Sequence, residues 1–148
     1  LSRVTQPDEI DWKIIEILAC GYESNNTIAR RLDLSEGTIR QRIKRLKELG
    51  ILTVKALIDP NLLENRQLAL VAVNVAESRL LEEKAEEVSR LEGVISVSIA
   101  SGRYDLLVEV LVNSNHGLVQ FLTERLSTVE GITKTESFLL LKSYGKYV

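Results

Sequence analysis

Apolar residues in the first third of the chain recur at helical period. Ile10, Ile14, Ile17 and Leu18 fall at i, i+4, i+7 and i+8, one stripe of a helix that Asp8 is placed to cap and Gly21 to end. Ser24 is placed to cap a second, short helix with Ile28, Ala29 and Leu32 inward, followed by the turn Asp33-Leu34-Ser35. Ser35 then caps a third helix, in which Ile39, Ile43, Leu46 and Leu49 line one side while Gly37, Arg40, Gln41 and Lys44 project from the other. Gly50 supplies a stop, and residues 51–58, rich in β-branched side chains, read as an extended strand in the position of a wing.

After Asp59-Pro60 the pattern changes. Residues 61–67 are polar and form the only credible hinge, and a strand-like segment opens at Leu68. Leu68-Ala-Leu-Val-Ala-Val-Asn-Val-Ala-Glu-Ser78 resembles Tyr104-Asp-Leu-Leu-Val-Glu-Val-Leu-Val-Asn-Ser114 at an offset of 36 residues. An amphipathic helix follows each, with Leu81, Ala85, Val88 and Leu91 on the first and Leu118, Phe121, Leu122, Leu126 and Val129 on the second. Glu92-Gly93-Val94 and Glu130-Gly131-Ile132 are matching helix stops that open strands reaching about Ser101 and Leu141. The order β-α-β-β-α-β is ferredoxin-like, so the chain reads as α+β. The expected organisation is a winged helix-turn-helix at 1–58, a linker at 59–67 and a ferredoxin-like effector and oligomerisation domain at 68–148. Helices on one side of the sheet leave its other face uncovered, with apolar residues expected there among Val71, Val73, Val75, Val108 and Val110. A second copy of the chain would cover them.

Charge sharpens the first part of this picture. The net charge of −2 hides an asymmetry, because residues 1–58 hold ten Lys/Arg against eight Asp/Glu and residues 59–148 hold nine against thirteen. From Arg30 to Lys47 there are seven basic and two acidic residues, which points to an anionic partner for that segment. Three short helices with a tight turn before a basic third helix lay that helix in the major groove of double-stranded DNA. Arg40, Gln41 and Lys44 are then placed to reach base edges, and Arg42, Arg45 and Lys47 to reach phosphates. With the residues that start the helix, the candidate DNA-binding set is Ser35, Gly37, Thr38, Arg40, Gln41, Arg42, Lys44, Arg45 and Lys47. A basic face on an amphipathic helix is by itself common. Here small Ala29 sits where two helices cross, and Asp33 occupies a turn position that needs positive φ. Helix-turn-helix turns usually carry Gly there, which predicts slight strain at Asp33.

Composition removes other classes. No apolar run nears the ~18 residues of a membrane span, and Asp8, Glu9, Asp11 and Glu16 stand where a signal peptide would have an apolar core, so a soluble, cytoplasmic protein is expected. The absence of methionine predicts that a few residues precede Leu1 in the natural chain. Cys20 is the single cysteine, which rules out an intrachain disulfide and a cysteine zinc site and suggests a small core residue. His116 is the single histidine and no Gly-rich phosphate loop occurs, so neither catalysis nor a cofactor is expected.

The sequence resembles the Lrp/AsnC family, the leucine-responsive and asparagine-responsive regulators also called feast/famine proteins, over nearly its full length. The resemblance is carried by Asp8-Glu-Ile-Asp-Trp-Lys-Ile-Ile-Glu-Ile-Leu18, Ile28-Ala-Arg-Arg-Leu-Asp-Leu-Ser35, Thr38-Ile-Arg-Gln-Arg-Ile-Lys-Arg-Leu46, Leu49-Gly-Ile-Leu52, Asp59-Pro60 and Gly102-Arg-Tyr-Asp105. It implies homodimers joined through the effector-domain sheet and the strand after the DNA-binding unit, assembling into tetramers or octamers. It also implies an amino-acid effector held between dimers. The corresponding residues here are Ser101, Gly102, Arg103, Tyr104 and Asp105 in the turn between the second and third effector-domain strands, Asn115 after the third, and Thr133, Thr135, Phe138 and Leu139 on the last strand.

A Gly-containing turn exposes backbone amides to a carboxylate, and Asp105 can pair with an ammonium group. The same turn also fits a hairpin without a ligand. Arg103 departs from the acidic or small polar residue common in the family, which would favour an acidic effector. Two other functions fit the sequence: an architectural DNA-binding protein that needs no effector, and a metabolite-sensing module acting through protein contacts.

Overall fold

A computed structural model describes residues 6–148 apart from Asn115. The chain divides into two compact units, Leu1–Ala56 and Leu57–Val148. The first contains three helices, α1 (Glu9–Cys20), α2 (Asn25–Leu32) and α3 (Glu36–Glu48). Each begins where a short polar side chain satisfies a free backbone N–H. Asp8 accepts from the Asp11 N–H while Asp11 accepts from the Asp8 N–H, a reciprocal capping box; Ser24 and Ser35 accept from Thr27 and Thr38. Ile14, Ile28, Ala29 and Ile39 form the buried centre, with Ile10, Ile17, Leu18, Leu32, Leu34 and Ile43 packed around it.

Asp33 ends α2 with φ 54° and ψ 48°, the left-handed conformation expected of the turn, and no side-chain hydrogen bond among the described residues offsets it. Two expectations fail in this unit. Residues 51–58 form no β-ladder: a strand needs a hydrogen-bonding partner along its length, and here Ile51 and Leu52 donate back to the Leu46 carbonyl at the end of α3 while Ile58 pairs with Val148. Cys20 is exposed instead of lying in the core, because it closes α1 on the side away from Ile14.

The second unit is a four-stranded antiparallel sheet in the order β2-β3-β1-β4, built from β1 (Arg66–Val75), β2 (Val94–Ile99), β3 (Leu106–Asn113) and β4 (Ile132–Leu139). Helix α4 (Leu81–Ser89) connects β1 to β2. The connection from β3 to β4 departs from the single regular helix expected. It opens as α5 (Gly117–Gln120), widens to a π turn over Phe121–Arg125 and closes as a 3-10 turn over Leu126–Thr128. The wide turn lets Phe121 and Leu126, five residues apart, both bury completely against the sheet. α5 starts tight against β3: a Cβ on Gly117 would lie 3.0 Å from Val112 Cβ.

The register β1 to β3 pairs Val71 with Val108 and Val73 with Leu106. These residues, with Ala69, Val110 and Val112, point toward the helices and form one core with Val88, Phe121, Leu126 and Val129. The expectation that Val71, Val73, Val75, Val108 and Val110 lie on the uncovered face is therefore corrected: four are core, and Val75 packs against it. The alternate residues Leu68, Leu70, Ala72, Leu107, Glu109 and Leu111 take the opposite face, because side chains alternate along a strand. The C-terminal segment reaches this face, where Lys146 ion-pairs with Glu109. Asp59 caps a 3-10 turn at Pro60–Leu62, and Asn61 bonds Ser143 through both its amide nitrogen and its oxygen.

Replacing Asp33 by Gly removes a Cβ from a left-handed position and is expected to stabilise the first unit by up to about 1 kcal/mol. An increase in the thermal midpoint checks this, and a decrease would show that Asp33 makes a compensating interaction.

Candidate functional site

In the first unit the turn closes through the Leu34 N–H donating to the Ala29 carbonyl at 3.0 Å. α3 then presents Gly37, Arg40, Gln41, Lys44 and Lys47 as exposed residues, with Ser35 exposed at its cap and Thr38 half-buried in the first turn. Arg40 lies 2.7 Å from Glu36 and Lys44 lies 3.8 Å from Glu48, both one turn away on the same helix. Such exposed pairs contribute little and leave their cations free to exchange partners.

Arg42 and Arg45 do not share this freedom. Arg42 Nη1 donates to Asp8 Oδ2 at 2.7 Å and to Asp11 Oδ1 at 2.9 Å, and Arg45 Nη2 donates to Asp11 Oδ2 at 2.5 Å. Asp11 is fully buried, while Arg42 and Arg45 keep 25% and 42% of their side-chain surface. The Arg42 guanidinium holds the Asp8 carboxyl below its usual range. Charge counting along α3 missed this tie, although Asp11 carried a signal: it stands one turn before Ile14 on the apolar side of α1, where an unpaired carboxylate would be costly.

In the second unit the turn carrying Ser101, Gly102, Arg103, Tyr104 and Asp105 is fastened to the end of β1. Asp105 Oδ2 accepts the Val75 N–H at 2.9 Å, the Asp105 N–H donates to the Val73 carbonyl at 3.0 Å, and Asn74 Nδ2 donates to the Arg103 carbonyl at 3.1 Å. One oxygen of Asp105 is thus engaged structurally. Gly102 needs neither positive φ nor space, since a Cβ there would meet no atom within 4 Å; the sequence overstated its part in the turn.

Thr133 Oγ1 donates to the Asn74 carbonyl at 3.3 Å, and Thr135 pairs with Val73. The Tyr104 hydroxyl donates to Glu136, which raises the phenol's pKa, and Lys134 Nζ lies 5.7 Å from the Tyr104 ring centre. Arg103, Tyr104, Asp105, Thr133 and Thr135 therefore gather at one end of the sheet. Exposed Phe138 and Leu139 do not join them: they pair with Leu70 and Ala69, four to five residues back along β1, roughly 13–17 Å at strand rise. Asn115 lies outside the described residues. Asn74, Lys134 and Glu136 belong to this cluster and escaped the sequence, because only the register of β1 with β4 brings them to the turn. Asn74 Oδ1 is buried without a hydrogen-bond partner, an acceptor available to a donor.

No group of three or more potential metal ligands occurs among the described residues, and no helix among them is long and apolar enough to cross a membrane. A helix-turn-helix with an exposed basic third helix, followed by a ferredoxin-like unit with a polar end cluster, defines a DNA-binding regulator of two parts.

Residues 7–53 match the winged helix-turn-helix DNA-binding family, and residues 68–147 match the Lrp/AsnC ligand binding domain. An uncharacterized HTH-type transcriptional regulator of Pyrococcus furiosus is 36% identical over 142 residues, covering 93% of this chain and 95% of that one. The fold is similar to the leucine response regulatory protein LrpA of Mycobacterium tuberculosis, with a TM-score of 0.76 at 22% identity, covering 95% of this chain and 96% of that one. It is also similar to a feast or famine regulatory protein from M. tuberculosis complexed with L-methionine, with a TM-score of 0.70 at 24% identity, covering 94% and 95%. The chain belongs to the Lrp/AsnC family of HTH-type transcriptional regulators.

Because Asp105 both accepts the Val75 N–H and offers a charge, two substitutions separate its roles. Asp105→Ala leaves that N–H unpaired and is expected to cost about 1–2 kcal/mol in thermal or urea unfolding. Asp105→Asn retains an accepting oxygen and is expected to stay within about 0.5 kcal/mol of the parent. Equal losses for both would place the charge, not the hydrogen bond, at the origin of the stabilisation.

Proposed function

We propose that this regulator reads specific DNA sequences through α3 and is modulated by an amino acid bound by its second unit. The observation that carries the reading is the exposed row Arg40, Gln41 and Lys44 on a helix whose start is capped by Ser35 and whose turn is closed by Asp33. Bidentate donors of this kind suit the base edges of the major groove, and Lys47 at the end of the row suits a phosphate.

Two features support assembly. The sheet face carrying Leu70, Leu107, Leu111 and exposed Phe138 has no helix over it among the described residues, and a second copy would cover what the C-terminal segment leaves open. Phe138 and Leu139 also lie far along β4 from the turn 101–105, so a pocket using both needs two chains. A homodimer, and tetramers or octamers built from it, would place one subunit's turn against another's last strand, and a two-fold axis suits palindromic DNA. Within that pocket the free Asp105 oxygen and Asn74 Oδ1 would accept from an ammonium group. The L-methionine bound by the M. tuberculosis relative supports an amino acid as ligand. Exposed Arg103 favours an acidic side chain. The protein would act in the cytoplasm, without catalysis and without a cofactor.

Thermal unfolding in the presence of each of the twenty amino acids tests the effector. A ligand at 100 times its dissociation constant stabilises by about 2.7 kcal/mol, and the largest rise is expected with aspartate or glutamate and is expected to shrink in Arg103→Ala. No rise with any amino acid would favour an architectural protein that needs no effector.

For DNA, Arg40→Ala and Gln41→Ala are expected to relax base preference at particular positions. Lys47→Ala is expected to weaken all sequences alike and to lower the slope of log K against log salt by about 0.9. Equal losses on selected and random DNA for all three variants would refute this use of α3.

A further inference from the structure

Asp11 is the one fully buried charged residue among those described. Its two oxygens take one hydrogen bond from Arg42, one from Arg45 and one from the Asp8 backbone N–H, at 2.9, 2.5 and 3.1 Å. Asp8 closes the network by accepting from Arg42 and from the Asp11 N–H. The N-terminus of α1 is thus fastened to α3 at two positions three residues apart, on one face of that helix. Thr38 and Gln41 line a depression of about 320 Å³ together with Asp8, Arg42 and Arg45, so a base-reading side chain borders the network directly.

Apolar contacts between helices are non-directional and tolerate small rotations. A buried carboxylate holding two guanidiniums does not, because a rotation that pulls them away leaves the fully buried Asp11 charge without its cations. Rotation of α3 about its own axis is the motion that would swing Arg40, Gln41 and Lys44 away from base edges.

We infer that Asp11 is a positioning residue for DNA reading: through Arg42 and Arg45 it fixes the rotational setting of α3, and Arg42 serves this internal tie instead of a phosphate. The inference rests on α3 reading DNA and adds a residue, on another helix, that never touches the nucleic acid.

The test uses the full-length chain and a high-affinity site selected in vitro with the parent protein, alongside random duplex of equal length. Asp11→Asn preserves shape and an accepting oxygen, and Arg42→Gln removes the cation from the other side. Each is expected to lower the ratio of selected-site to random affinity tenfold or more, measured below the thermal transition of each variant, while random-DNA affinity stays within about threefold of the parent. The salt slope of Arg42→Gln on random DNA is expected to match the parent, whereas Lys47→Ala lowers it by about 0.9.

An unchanged affinity ratio in either folded variant, or a slope for Arg42→Gln that falls as Lys47→Ala does, overturns the inference. If Asp11→Asn does not fold, Arg42→Gln decides alone. A parent chain with no preference for any selected site would refute sequence reading by α3 itself, a result distinct from both.

Discussion

The pairing of β1 with β3 is the constraint on which the second unit depends. Both strands are central, and their register decides, residue by residue, which side chains meet the helices and which meet the open side. A slip of one residue would turn Val71, Val73, Val108 and Val110 out of the core and bring Glu109 into it. The surrounding elements support the observed choice. Phe121 and Leu126 reach the same valine layer only because the backbone between them widens to a π turn, and Val88 closes the layer from α4. The turn 101–105 inherits its position from this register, since Asp105 and Asn74 bind across the end of β1.

The first unit is organised differently. Its helices are short, so each depends on a polar cap, and the caps at Asp8, Ser24 and Ser35 are local in sequence. What binds α1 to α3 is a small apolar centre around Ile14 and Ile39 together with the charged network at Asp11. Of the two, only the charged contact has direction.

This contrast explains what was legible in the chain. Helix starts, helix stops and the left-handed turn at Asp33 were readable because each is decided within three or four residues. Element order in the second unit was readable because Gly93 and Gly131, at φ 90° and 85°, punctuate it in matching places. The facing of β1 was not, since Leu68 to Val73 is apolar at every position and an unbroken run has no period. The ties of Arg42 and Arg45 were hidden for another reason: their carboxylate partners lie 31 to 34 residues away, and a charge count along one helix cannot register them. The gathering of Asn74, Lys134 and Glu136 beside Tyr104 likewise depends on strand register alone.

The outer strands have a consequence for the behaviour of the protein in bulk. β2 and β4 each expose one unpaired backbone edge, the feature from which strand-by-strand fibre growth begins. Here β4 carries Lys134, Glu136 and Ser137, and β2 carries Ser96 and Ser98 with a register irregularity between Val94 and Ser96. Charges and a break in register both resist the addition of another strand. Edge-to-edge polymerisation is thereby disfavoured.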